Sequence, residues 1–202
     1  MTEDALLKAL RTSSEVQALL KRDFDFYTIQ TPDASSHLRV TKGTDYELIA
    51  TDPSGGEFAL CRHKTLTERP LLFASSEGQA GIIGRSLSEG LSIILKIPYW
   101  QDCLKFSGGG QLVEMRRVLP FLESDALAYM PHIGSSRQIL RKRLALENSV
   151  DPVQTLYSAV TELSPSFPFF ANDGSMFGSL FNRFGFTVES NAVWRRRLSG
   201  GI

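Results

Sequence analysis

Two glycine-rich stretches have the composition of loops that hold phosphate groups. Residues 107–110, Ser-Gly-Gly-Gly, precede a predicted helix, and a helix N-terminus can bind an anion through its free N–H groups. Gly78, Gly81 and Gly84 repeat at a spacing that dinucleotide-binding loops also contain. Both motifs are incomplete, because Gln-Leu follows residue 110 where a P-loop needs Lys and Ser or Thr, and the second stretch lacks the paired G-x-G. We interpret the first as a flexible linker and the second as a turn.

The residues that could act in acid–base or metal chemistry are few and separated. His37, His63 and His132 fall in different predicted elements, without the H-x-x-x-H or H-E-x-x-H spacing of zinc sites. Asp52 and Glu77 could meet as paired carboxylates at one end of a sheet, although acidic turn residues are common on protein surfaces. The sequence therefore predicts no catalytic residue, no metal site and no cofactor.

Charge and cysteine content limit the class of partner. Lys plus Arg and Asp plus Glu both number 22, so the formal net charge is zero. Without an overall field to attract a polyanion, the basic stretches 137–143 and 195–197 are interpreted as solvated surface rather than nucleic-acid contacts. Cys61 and Cys103 form no C-x-x-C pair and are interpreted as reduced core thiols of a cytosolic protein.

The sequence shows no targeting or membrane segment. Charged residues interrupt the leucines of residues 1–23, which excludes the apolar core of a secretory signal. No run approaches the roughly 20 apolar residues of a membrane span. We therefore expect a cytoplasmic protein without a membrane partner.

Residues 46–95 contain the clearest structural signals of the chain. Apolar runs at 46–50 and 57–61 flank Asp-Pro-Ser-Gly-Gly at 52–56, which predicts a β-hairpin. Residues 70–75 are apolar enough for a central strand, and residues 82–83 predict a short edge strand. The sequence therefore predicts an α+β fold with a mostly antiparallel sheet of four to six strands.

Helices are predicted on either side of this sheet in sequence. Ser86 and Glu89 match the capping box S-x-x-E, so a helix should begin there, end near residues 97–98 and cover one face of the sheet. Residues 2–21 predict one bent helix or two short ones, and the alternating aromatic residues at 24–29 predict a strand.

Beyond the triple glycine, the pattern changes to helices separated by Pro120, Pro131 and Asn148. Asp151 and Pro152 are suited to the cap and first position of a helix. The Phe-rich final forty residues predict irregular structure with a frayed end at 195–202. We therefore predict an α+β domain at 1–107 and, packed on it, a helical extension with an irregular tail at 111–202.

Two short motifs resemble those of a known family. The sequence LLFASSEG at 71–78, followed by GRSLSEGL at 84–91, resembles the SUKH superfamily, also called the SMI1/KNR4-like fold. The resemblance covers about a quarter of the chain, and the part from residue 111 onward has no counterpart in the minimal domain. It implies a non-catalytic α+β protein-binding module of the kind that serves bacteria as an immunity protein, neutralising a cognate toxin by binding it.

Two classes of function follow. A binding module would contact its protein partner through an exposed ridge, for which the candidate residues are Tyr46, Phe58, Phe73, Glu77 and Trp100; a register shift of one residue would bury them instead. The alternative is a small-molecule-binding protein or enzyme with a site between the sheet and the C-terminal helices. It predicts a deep cavity with strongly shifted ionisable groups. The sequence identifies neither the partner nor the state of self-association.

Overall fold

The computed structural model describes residues 1–30, 38–40, 45–62, 68–146 and 151–200. The predicted strands and helices occur together as an α+β fold. The strands are β1 Tyr27–Thr28, β2 Leu38–Val40, β3 Asp45–Thr51, β4 Glu57–Arg62, β5 Leu71–Ala74, β6 Ala80–Gly84 and β7 Phe169–Ala171. The α-helices are α1 Glu3–Thr12, α2 Ser14–Phe24, α3 Leu87–Lys96, α4 Trp100–Lys105, α5 Leu112–Tyr129, α6 Ile133–Arg143, α7 Pro152–Ser158 and α8 Ala192–Leu198.

The main sheet has five antiparallel strands in the order β1-β3-β4-β5-β6, which confirms the predicted sheet. The β3–β4 hairpin turns where the sequence predicts it. Asp52 organises this turn, because its Oδ1 accepts hydrogen bonds from the N–H groups of Ser54 at 2.8 Å and Gly56 at 2.7 Å. A second, two-stranded sheet pairs β2 with β7 and joins the early part of the chain to its Phe-rich end.

The main sheet is covered on both faces, since every residue of β5 and all but the last residue of β4 are buried. One face packs against the N-terminal helices and α3. The other face packs against the segment after α7. The side chains on the first face that enter the core are Phe58, Leu60, Leu71 and Phe73. Those on the second face are Ala59, Cys61, Leu72 and Ile82, and they pack against Ala159, Phe167 and Phe169.

Helix α3 lies unusually close to the sheet because two glycines face each other. A Cβ atom on Gly84 would lie 2.4 Å from the backbone nitrogen of Gly90, and a Cβ on Gly90 would lie 2.4 Å from Cδ2 of Leu71. The cap at Ser86 confirms the predicted start, since its hydroxyl accepts the N–H of Glu89 at 3.2 Å. The Glu89 carboxylate reaches back to the N–H of Arg85 instead of the cap residue.

The predicted strand at 24–29 is wrong in its first half. Helix α2 continues through Phe24 because Leu20 and Phe24 lie one helical turn apart on its buried face. Asp25 ends the helix in the left-handed conformation, with φ 51°. Tyr27 and Thr28 pair with β3, and the Ile29 N–H donates to the carbonyl of Ile49 at 2.9 Å.

Two further expectations fail in the C-terminal half. Pro120 does not end a helix but lies inside the 18-residue α5, whose buried stripe packs on both sides of the proline. Residues 195–198 do not fray, because they form the end of α8, which Trp194 anchors in the core. The cap at Asp151 is confirmed, with Oδ1 accepting the N–H of Gln154 at 2.9 Å.

A single buried cluster contains side chains from both of the predicted domains, including Leu10 and Phe58 from the first and Leu122, Leu156 and Trp194 from the second. The triple glycine is held as a turn between them. The Gly108 N–H donates to the carbonyl of Phe186 at 2.7 Å, and the Gly110 N–H donates to Oγ of Ser107 at 2.8 Å. Among the described residues, no helix combines the length and apolar character that crossing a bilayer requires.

Candidate functional site

A concave region of the described surface surrounds Trp100. A cleft of about 290 Å³ opens between the end of α2, the β3–β4 turn and α4. We call it the acidic cleft, because Asp23, Asp25, Asp52 and Asp102 all line it. The chain positions these four carboxylates from three separate elements.

Two of the four carboxylates are already used by the fold. Asp52 is buried and holds the hairpin turn, and its Oδ2 also accepts from Nε2 of Gln101 at 3.2 Å. Asp23 accepts two hydrogen bonds from the guanidinium of Arg22, at 2.7 and 2.8 Å, and the same guanidinium donates to Ser136 of α6. These two residues stabilise the cleft wall.

The other two carboxylates, Asp25 and Asp102, form no ion pair or side-chain hydrogen bond with the described residues. Loss of water contact and the neighbouring charge of Asp52 raise the pKa of Asp25 above its ordinary value. Burial also raises the pKa of Asp102, with Lys105 opposing and Asp125 adding to the effect. Asp25 is solvent-exposed and Asp102 is half-buried, and neither carboxylate is neutralised by an ion pair with a described residue, so the cleft is electrostatically complementary to positive charge.

Tyr99 lines the same cleft as these carboxylates. It precedes α4 with φ 50°, a left-handed conformation that is uncommon for a bulky residue. Burial and then the charges of Asp125, Asp25 and Asp102 raise the pKa of its hydroxyl. Left-handed residues of this kind are concentrated at functional sites, and of the three non-glycine examples among the described residues, Asp25 and Tyr99 both line this cleft.

Two more clefts continue from the first. One of about 180 Å³ shares Trp100, Gln101 and Asp102 with the acidic cleft and extends to Glu77. The next, of about 450 Å³, shares Glu77 with the second and ends at Phe184. The three clefts adjoin one another along one end of the sheet.

The predicted ridge of five contact residues does not exist as a surface. Phe58, Phe73 and Trp100 are only 1%, 2% and 5% exposed, and their rings pack together, with the Phe73 and Trp100 centroids 5.0 Å apart. The reason is that helices cover this face of the sheet, and the apolar runs at 58–61 and 71–74 already had the composition of strands buried on both sides. Phe73 and Trp100 therefore form the floor of the clefts.

Tyr46 and Glu77 lie elsewhere. Tyr46 pairs with Cys61 of β4, whereas Phe73 pairs with Phe58 of β4. Because Phe58 and Cys61 are three residues apart on that strand, they and their partners point to opposite faces of the sheet. Tyr46 is thus half-buried on the second face of the sheet. Glu77 is exposed in the turn after β5 and lines two of the clefts, so it remains a candidate contact residue.

The other chemical candidates of the sequence form no reactive site. Burial raises the pKa of Cys61 and Cys103 to about 12, which suppresses the thiolate. Among the described residues, no group of three metal-ligating side chains converges; His37 and His63 lie outside those residues. Trp194 is buried, with its indole N–H on Asp125.

Asp25 and Asp102 are the residues that sequence reasoning missed. Asp25 lay inside a predicted strand, and Asp102 lies in the short α4, whose Trp100, Cys103 and Leu104 are buried. No spacing links them, because the end of α2 and the start of α4 converge only in three dimensions. Comparisons with protein-family models, with curated proteins and with solved structures find no match to this chain.

Proposed function

We propose that this chain is a non-catalytic protein-binding module of the immunity type, as its resemblance to the SUKH superfamily implies, and that it recognises a cationic group of its partner in the acidic cleft. The supporting observation is that two carboxylates without an ion pair among the described residues, Asp25 and Asp102, line this cleft together. A bacterial toxin that acts on nucleic acid carries basic residues around its active site, and such residues suit this cleft.

The energetics of the cleft favour a positively charged guest. Neither carboxylate is neutralised by an ion pair with a described residue, so a partner Lys or Arg would gain Coulomb attraction there, and at the half-buried Asp102 the fold already bears part of the desolvation cost. Tyr99, which is half-buried in the same cleft, offers aromatic surface for a guanidinium. Binding should release protons, because a cation lowers the raised carboxyl pKa values, so affinity should increase as the pH rises from about 4 to 7.

A test of this function uses the product of the neighbouring gene, co-expressed with the chain. We expect one-to-one capture and, if that product is toxic, rescue of growth. The double variant D25N/D102N should weaken capture at least tenfold, because it removes both charges while Asn retains the left-handed conformation at position 25. The variant D4N, which changes an exposed acid of α1, is the matched control and should capture normally. Equal capture by the wild type and the double variant would refute the role of the cleft.

One observation favours the alternative function, a small-molecule-binding protein or enzyme. That alternative predicts shifted ionisable groups in a cavity, and the pKa values of Asp25, Tyr99 and Asp102 are all raised. A thermal-shift screen with cationic metabolites such as polyamines separates the two functions. A melting shift that depends on both carboxylates, without protein capture, would support the small-molecule function.

A further inference from the structure

The three clefts form one continuous groove, because each shares lining residues with the next. Ser54, Trp100, Gln101 and Asp102 belong to the first and second, and Glu77, Gln79 and Asn182 belong to the second and third. The groove therefore runs from Asp25 past Trp100 to Phe184. A single side chain in the acidic cleft would leave most of it empty.

The far end of this groove carries an arginine, Arg183, and an exposed ring, with Glu77 also in its lining. Phe184 is 66% exposed, although it is a large apolar side chain. It stacks on Phe186 with centroids 5.7 Å apart, and the guanidinium carbon of Arg183 lies 5.0 Å from its ring centroid. Arg183 forms no ion pair with any described residue. An exposed aromatic residue beside a free arginine has the composition of an interface hot spot.

Backbone hydrogen bonds hold this end in place. The Phe184 N–H donates to Oδ1 of Asn182 at 2.7 Å. Gly178 donates to the carbonyl of Gly78 at 2.8 Å and accepts from the N–H of Ala80 at 2.9 Å, so the segment is attached to the edge of the main sheet. A binding surface that is ordered in advance loses less conformational entropy on association.

Resting on the proposed function, we infer that the groove binds an extended polypeptide segment of the partner, with a Lys or Arg in the acidic cleft and, farther along, an aromatic residue on Phe184 together with a carboxylate at Arg183. Charge complementarity supports this occupant, since Asp25 and Asp102 line the first cleft and Arg183, which has no ion pair with a described residue, lines the third beside Glu77. A nucleic-acid strand is disfavoured, because Asp25, Asp102 and Glu77 would repel its phosphates.

The test is selection of a phage-displayed library of random 12-residue peptides on the full-length chain. We expect the enriched peptides to carry a basic residue and an aromatic residue at a constant separation, with an acid adjacent to the aromatic one. The best peptide should lose at least fivefold in affinity on D25N/D102N and, independently, on R183A/F184A. The variant M176A, which truncates another exposed apolar side chain, should change affinity less than twofold. Cooperative thermal unfolding and a wild-type circular dichroism spectrum would show that each variant is folded.

The outcomes separate this inference from the proposed function. Peptides that require Asp25 and Asp102 but bind R183A/F184A normally would overturn the groove and leave the acidic cleft as the site. Peptides that require only the arginine end would also overturn it. Peptides unaffected by either double variant would overturn both the groove and the function on which it rests.

Discussion

Replacing Gly90 with Ala tests the close contact between α3 and the sheet. Alanine is favoured over glycine inside a helix by about 1 kcal/mol, so helix propensity alone predicts stabilisation. The added Cβ, however, would lie 2.4 Å from Cδ2 and 2.9 Å from Cβ of Leu71, a residue with no solvent exposure. Overpacking of this kind costs about 1–3 kcal/mol, and the short distance to Cβ, which rotation about χ1 cannot relieve, places the cost towards the upper end.

Gly134 provides the matched control, because it is also helical but a methyl group added to its Cα would have no neighbour within 4 Å. G134A should therefore be neutral or stabilised by up to about 1 kcal/mol, and the difference between the two variants isolates the steric cost. Urea unfolding followed by helical circular dichroism should give G90A a midpoint lower by roughly 0.5–1 M. Combining G90A with L71V should recover part of the loss. A G90A variant as stable as G134A would refute the packing of α3 on β5.

Three other predictions concern caps and charges. S86A should lose about 1 kcal/mol of unfolding free energy because Glu89 loses its cap acceptor, whereas S86D should retain it; urea midpoints measure both. D102N should melt at a higher temperature than the wild type at pH 7 and at the same temperature at about pH 3. The folded-state pKa of Asp102 is raised, so the wild type loses stability as the pH rises through that pKa. A difference in melting temperature that stays constant across this range would contradict the reasoning. R69Q should lose about 1 kcal/mol of unfolding free energy at pH 7 and progressively less below about pH 4. Burial raises the pKa of Glu47, but hydrogen bonds from Arg69 and Arg11 keep that pKa lowered overall. The stabilisation by Arg69 is therefore lost as the pH falls through the Glu47 pKa, which melting curves at several pH values measure.

The sequence predicts elements whose signals are local. The β3–β4 hairpin has its turn residues beside two apolar runs, and the starts of α3 and α7 have side chains that bond to the backbone three residues later. Each of these interactions spans a few residues, so composition and spacing determine it. The α+β fold follows from them.

The wrong predictions depend on contacts between distant segments. Pro120 removes one backbone donor from α5, but the buried stripe of Met115, Val118, Leu122 and Ala126 holds the helix together across it. The ridge fails because residues after α7 cover the second face of the sheet, while α3 and the N-terminal helices cover the first. The acidic cleft escapes prediction for the same reason: Asp25 and Asp102 are 77 residues apart in the sequence and meet only after folding.

The pairing of β2 with β7 has a consequence for synthesis of the protein on the ribosome. Antiparallel partners at Leu38 and Ala171 cannot meet until residue 171 has emerged, and long-range pairings of this type form slowly. Until then Ala59, Cys61, Leu72 and Ile82 have no cover, so nascent chains present an uncovered hydrophobic sheet. Chains released early by translational stalling should therefore be chaperone clients and prone to aggregate.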